Sequence, residues 1–139
     1  RLPEAVDYFH AAIRSKPEAP TAHVQLGRVL WKQNNDQAAL EEIGRASQLA
    51  PKDADIRADF GLALQLVGRI PEAIEQFHEA LGMNPDNAEA HANLGLALLA
   101  SGKPEESVTE FQTALRLKPG LTGAADNLRR AQAQSGSEK

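Results

Sequence analysis

Apolar positions along the chain recur at a helical spacing. Phe60, Ala63, Leu64 and Val67 fall at i, i+3, i+4 and i+7, the stripe of a helix with one buried face. Ala73, Phe77, Ala80 and Leu81 form a second stripe shortly after. Between them "VGRIPEA" breaks the pattern. Gly68 suits a helix end and Pro71 the first turn of the next helix, while Glu72 sets negative charge near that helix's positive end. "MNPDN" and "LKPG" close the second helix of a unit, because a residue before proline is pushed out of helical geometry. Asp53, Asn87 and Thr122 stand where caps of the following helices are expected. The pattern predicts helix pairs throughout, hence an all-α chain.

The pair is itself a repeat. "FGLALQLVGRIPEAIEQFHEALGMNP", starting at Phe60, returns 34 residues later as "LGLALLASGKPEESVTEFQTALRLKP". The same period aligns Pro17, Pro51, Pro85 and Pro119, and also Ala12, Ala46, Ala80 and Ala114. Gly27, Gly61 and Gly95 form another column; Phe9, Ile43, Phe77 and Phe111 another; Ala5, Ala39, Ala73 and Ser107 another. Leu26, Phe60, Leu94 and Leu128 complete the set. A fixed period of this length implies an elongated stack in which each unit touches its neighbours. The columns divide by size: large residues fill the space between helices, and small ones mark close approaches. Glycine inside a helix costs about 1 kcal/mol against alanine, so a recurring one implies no room for a side chain.

These segments resemble the tetratricopeptide repeat, a helix–turn–helix unit of the same period. They read "HVQLGRVL…AALEEI…AP", "RADFGLAL…AIEQF…NP" and "HANLGLAL…SVTEF…KP". The resemblance implies a right-handed superhelical solenoid of antiparallel helix pairs. Residues 20–53, 54–87 and 88–121 are then complete repeats. Residues 1–19 are the second helix of a preceding repeat, and 122–139 a capping helix with a frayed tail, "QSGSEK". His23, Arg57 and His91 replace the family's favoured tryptophan, and Leu30, Leu64 and Leu98 its tyrosine. Asn34 stands where Gly68 and Gly102 sit. In the last helix Arg129 takes the glycine column and Gln132 the leucine column, as suits a cap facing water.

Bulk composition narrows the function. The chain has 139 residues and a net charge of −4, without a run of Lys or Arg, which gives no support to nucleic-acid binding. Its longest apolar stretch, "LGLALLA", is too short to cross a bilayer, and no signal peptide is visible. A soluble, cytoplasmic setting is the expectation, although the lack of cysteine does not fix the compartment. The start at Arg1 rather than Met reads as an excerpt of a longer chain.

Candidate chemistry is sparse. His23 and His91 share one column and His10 and His78 another, which marks them as packing or surface residues. "HEALG" at His78 begins like a zinc-binding helix, but no second His arrives one turn later. Gly61 and Gly95 lie inside helices and form no phosphate loop. Glu41, Glu42, Glu105 and Glu106 read as solvated faces. No enzyme, cofactor or metal is expected.

What remains is surface. In the family that the chain resembles, first helices line a concave wall against which partner peptides lie. Carried onto this sequence, the wall presents Thr21, Val24, Gln25, Arg28, Trp31 and Lys32 from the first full repeat. Asp55, Ala58, Asp59, Leu62, Gln65 and Leu66 come from the second, and Glu89, Ala92, Asn93, Leu96, Leu99 and Ala100 from the third. Asp126, Asn127 and Arg130 follow on the last helix. Leu62, Leu66, Leu96 and Leu99 form either an apolar floor for a partner or a contact between first helices. Arg28 and Lys32 sit toward the N-terminal end, with Asp55, Asp59 and Glu89 in the middle. The expected ligand is a peptide or protein segment with apolar anchors and a basic residue near its middle. Trp31 either packs on a neighbouring repeat or meets a ligand.

Two familiar ligand modes fit poorly. Clamping an acidic chaperone tail needs polar or basic side chains where Val24, Asp59 and Glu89 stand. The asparagine ladder of O-linked glycosaminyltransferases, which "AHANLGLALL" resembles, is met by Asn93 and Asn127 and broken by Gln25 and Asp59. The alternative function is structural: Phe9, Ala12 and Ile13 on an uncovered first helix would support self-association, making the segment an oligomerisation arm or spacer, possible substrate presentation for an attached catalytic domain included.

Overall fold

Local sequence starts and stops each helix in the computed structural model, which describes residues 1–137. Eight helices and no strand occur among them: α1 (Leu2–Ser15), α2 (Pro20–Lys32), α3 (Asp36–Leu49), α4 (Ala54–Leu66), α5 (Ile70–Met83), α6 (Ala88–Ala100), α7 (Pro104–Leu117) and α8 (Ala124–Ser137). Proline in the first turn opens α1, α2, α5 and α7, where its missing N–H is no loss. Side-chain caps open three others. Asn35 accepts from the Ala38 N–H at 3.4 Å, Asp53 from Ile56 at 3.1 Å, and Asn87 from Ala90 at 3.0 Å.

Thr122 does not act as the cap expected of it. It lies in the turn before α8, and Gly123, at φ +79°, takes the position ahead of Ala124, so the last helix starts two residues later than the period implies. The segment "QSGS" belongs to α8, which runs on through Ser137. Glu138 and Lys139, the rest of that expected tail, lie outside the described residues.

The turn inside each pair has one geometry. Asn34, Gly68 and Gly102 take φ of 59°, 85° and 74°, and the next N–H bonds back to Leu30, Leu64 or Leu98 at 2.9 Å. This is the six-residue closure of a helix end, which needs a left-handed residue at its centre. Asparagine tolerates that conformation better than other non-glycine residues, which explains Asn34 in a glycine column.

Each helix packs chiefly on its neighbours in sequence, and α6 also touches α4 and α8, which gives an all-α repeat solenoid. Ile43, Phe77 and Phe111 are fully buried. Each lies over the glycine of the preceding helix: a β-carbon on Gly27 would come 2.5 Å from Ile43, and on Gly61 or Gly95 2.9 Å from Phe77 or Phe111. Ser107, in the alanine column, is buried and donates its hydroxyl to the Gly95 carbonyl at 2.8 Å, so its polar atom is satisfied. At the C-terminal end Arg129 and Gln132 are exposed, as a capping face requires.

Polar residues replace an aromatic contact in one column. His23 reaches the Pro17 carbonyl at 3.1 Å and the Glu42 carboxylate at 2.8 Å. His91 does the same with Pro85 at 2.8 Å and Glu110 at 2.6 Å. Arg57 donates to the Pro51 carbonyl at 2.7 Å and to Gln76 at 3.0 Å, with Glu79 at 3.1 Å. Each clamp ties the loop before a first helix to the second helix after it. Glu42 is therefore no solvated side chain, whereas Glu41, Glu105 and Glu106 are exposed.

Trp31 packs inside the chain, against the clusters around Leu26 and Leu64. Its ring is thus occupied by its own and adjacent repeats. Phe9 and Ile13 rest on Leu26, Leu30 and Ala39, yet α1 has no fully buried residue and Tyr8 is 69% exposed.

Candidate functional site

The first helices present two neighbouring cavities. The first, about 220 Å³, is lined by Arg28 of α2, by Asp55, Ala58, Asp59 and Leu62 of α4, and by Asn87, Glu89, Ala90 and Asn93 of α6. The second, about 430 Å³, is lined by Gln65 of α4, by Leu96, Leu99 and Ala100 of α6, and by Arg130 and Gln134 of α8. Asp59 to Gln65 and Asn93 to Leu99 are both six-residue steps, so the cavities lie about 9 Å apart along the helices.

Charge distinguishes the two. The first gathers three carboxylates around one guanidinium, whose Nη2 donates to Asp59 Oδ2 at 2.8 Å. Burial raises the Asp59 carboxyl above its ordinary value, with Asp55 and Asp53 adding to the rise while Arg28 opposes it. Lys118, just past the end of α7, donates to Glu89 at 2.7 Å and lowers that carboxyl's value. Asp55 is exposed and makes no ion pair among the described residues. The second cavity has an aliphatic floor and a cationic rim, where Arg130 donates to Asn127 at 2.9 Å.

Of the residues assigned to the wall from sequence, Arg28, Asp55, Ala58, Asp59, Leu62, Glu89 and Asn93 meet in the first cavity, and Gln65, Leu96, Leu99, Ala100 and Arg130 in the second. Gln25, Lys32, Leu66 and Asn127 line neither. Val24 is buried against Ala46 and Ile56 and offers nothing to a ligand. Leu62 leans on the Phe77 cluster, and Leu96 packs with the nearly buried Leu99 beside Phe111 and Ala131. The aliphatic wall residues thus serve the contact between repeats as well as the cavities. Leu66 alone of the four is 48% exposed.

Arg28 does not sit apart at the N-terminal end; it reaches across to α4. Sequence reasoning missed three lining residues. Asn87 was read only as a cap, Ala90 is its bonded partner, and Gln134 fell in the supposed tail. The cap of α6 is itself the rim of the first cavity. That link was open to anyone asking what else the end of a wall helix touches.

Buried Gln65 Oε1, Trp31 Nε1 and Arg57 Nε have no hydrogen-bond partner among the described residues. Among those residues, too, no three His, Cys, Asp or Glu side chains converge on a metal site, and no helix is long and apolar enough to cross a membrane.

Among proteins of curated function, none matches the chain in sequence. Solved structures do match in fold. MamA superposes with a TM-score of 0.85 at 19% identity, over 94% of this chain and 77% of that one. YrrB, a TPR protein with an unusual peptide-binding site, gives 0.81 at 29% identity, over 90% and 64%. The first TPR of Spaghetti (RPAP3), bound to the HSP90 peptide SRMEEVD, gives 0.80 at 19% identity, over 84% and 93%. The family model for the tetratricopeptide repeat matches residues 1–54 and 59–122. With that match and its helix pairs stacked at a constant period, this chain belongs to the tetratricopeptide repeat family.

Proposed function

We propose that the chain is a non-catalytic interaction scaffold that holds an extended peptide segment along α4 and α6. The observation that carries this reading is the pairing of an acidic cavity with an aliphatic one about 9 Å away, about one three-residue turn of polyproline-II chain, which brings side chains i and i+3 to the same face. The ligand places a basic side chain among Asp55, Asp59 and Glu89 and, three residues on, an aliphatic one over Leu96 and Leu99. Residues 20–53, 54–87 and 88–121 act as the repeats that build the wall.

The Spaghetti domain holds a peptide ending in EEVD. Three carboxylates in the first cavity repel such a tail, so the present groove takes ligands of opposite charge. Affinity is expected in the micromolar range, about −8 kcal/mol, because a rigid groove must still order its ligand.

The test is fluorescence anisotropy on the full chain. The probe is an acetylated, amidated Gly/Ser nonapeptide carrying Arg and, three residues later, Leu. Replacing its Arg by Gln should weaken binding about tenfold, as should Asp59→Asn in the protein. Equal affinity for both probes, without salt dependence, sinks the cation site.

A further inference from the structure

Arg28 and Asp59 depart from the repeat template together. They are 31 residues apart, one on α2 and the other on α4. The same two columns hold Leu62 with Asn93 at the next step, and Leu96 with Asn127 after that. Of these three pairs this one alone joins a cation to an anion, although Arg130 also stands in the Arg28 column. The pair is also placed where a ligand would meet it, since both side chains line the first cavity.

The two partners are unequally held. Arg28's side chain is 49% exposed, whereas that of Asp59 is 21% exposed. Among the described residues, Arg28 is the sole hydrogen-bonding partner of the Asp59 carboxylate and spends no other donor on a carboxylate. A long, half-exposed side chain leaves such a pairing at little cost, since surface ion pairs contribute at most about 1 kcal/mol. A half-buried carboxylate, by contrast, needs a replacement donor when its partner leaves.

We propose that Arg28 is a resident stand-in for the ligand's basic side chain, swinging out of the first cavity when that side chain pairs with Asp59. Arg28 is then a resident competitor. It lowers affinity for a cationic ligand, which must displace it to reach Asp59, while a ligand without a cation leaves the pair in place and gains nothing from that carboxylate. The inference rests on the groove reading above and adds a competitor to it.

The experiment uses the full chain with two variants, Arg28→Gln and Asp59→Asn, and the Arg and Gln forms of the nonapeptide. Arg28→Gln should tighten the Arg peptide about fivefold and leave the Gln peptide within about twofold. In nitrogen-15 spectra of the wild-type chain, the Arg28 side-chain signals should move toward solvent values as the Arg peptide saturates. An unchanged or weakened Arg-peptide affinity in Arg28→Gln, or Arg28 signals that stay put at saturation, overturns the exchange. Where the wild type still binds the Arg peptide more tightly than the Gln peptide, either of those two outcomes overturns the exchange alone and leaves the groove reading standing. If no form of the protein distinguishes the peptides, the cation site fails and the exchange with it.

Discussion

The Phe77 ring lies over Gly61 so closely that a β-carbon on the glycine would sit 2.9 Å from its Cδ1 and Cε1. Phe77 is fully buried, so the ring has nowhere to retreat. Gly61→Ala should therefore destabilise the chain by roughly 1–2 kcal/mol, the crowding outweighing the better helix propensity. Gly82→Ala is the matched control: nothing lies within 4 Å of its added carbon, and a gain of up to about 1 kcal/mol is expected. Urea midpoints of the two variants check both signs.

Emptying the same contact from the other side should be worse. Phe77→Ala leaves a void between α4 and α5 next to Leu64 and Leu94 and should cost roughly 3–5 kcal/mol. A loss below about 1 kcal/mol in urea unfolding would mean that the column is not the core of the pair.

The clamp at His91 gives a different kind of prediction. His91→Phe keeps an apolar ring but strands Glu110, whose side chain is only 20% exposed, at a cost of about 1–3 kcal/mol. Adding Glu110→Leu removes the stranded charge and should recover most of that loss. A thermal-unfolding double-mutant cycle reads the coupling, and simple additivity would show that the bond contributes nothing.

Asp59 should stabilise the fold when its charge is removed. Its carboxyl is raised above 3.8 chiefly by burial, so the folded state holds the proton more tightly than the unfolded chain. The cost of the charge is absent below pH 3.8 and fully present once pH has risen through the raised value. Asp59→Asn should accordingly gain stability over wild type as pH rises from acid to neutral, while losing affinity for the Arg peptide. Chemical denaturation at pH 3 and pH 7 checks it; an equal difference at both sinks the sign.

The turn column offers a last comparison. Gly102, at φ +74°, should lose about 1–2 kcal/mol on replacement by Ala, whose β-carbon disfavours that conformation. Asn34, already at φ 59°, should be unchanged or slightly stabilised on replacement by Gly. Melting temperatures of the two variants should move in opposite directions or differ by several degrees.

The repeat, the helix pairs and the large-against-small columns were legible in the sequence, because each rests on a residue's own size or backbone preference at fixed spacing. Gly27, Gly61 and Gly95 announce a close approach whatever surrounds them. Pro20, Asp53 and Asn87 start helices by local geometry alone. Thr122 misled because Gly123 displaced the start of α8, a choice between two neighbouring turn residues that spacing does not resolve.

The site depended on tertiary structure. Arg28 and Asp59, 31 residues apart, become neighbours only because α2 and α4 lie side by side, and nothing local draws one toward the other. Glu42 looks solvent-facing until α2 delivers His23 to it. Val24 looks available until Ala46 and Ile56 close over it. Periodicity sets which face of each helix is buried, since that follows from 3.6 residues per turn. Which charges then meet across the wall depends on how far each side chain reaches and what its new neighbours leave open, and only the folded chain decides that.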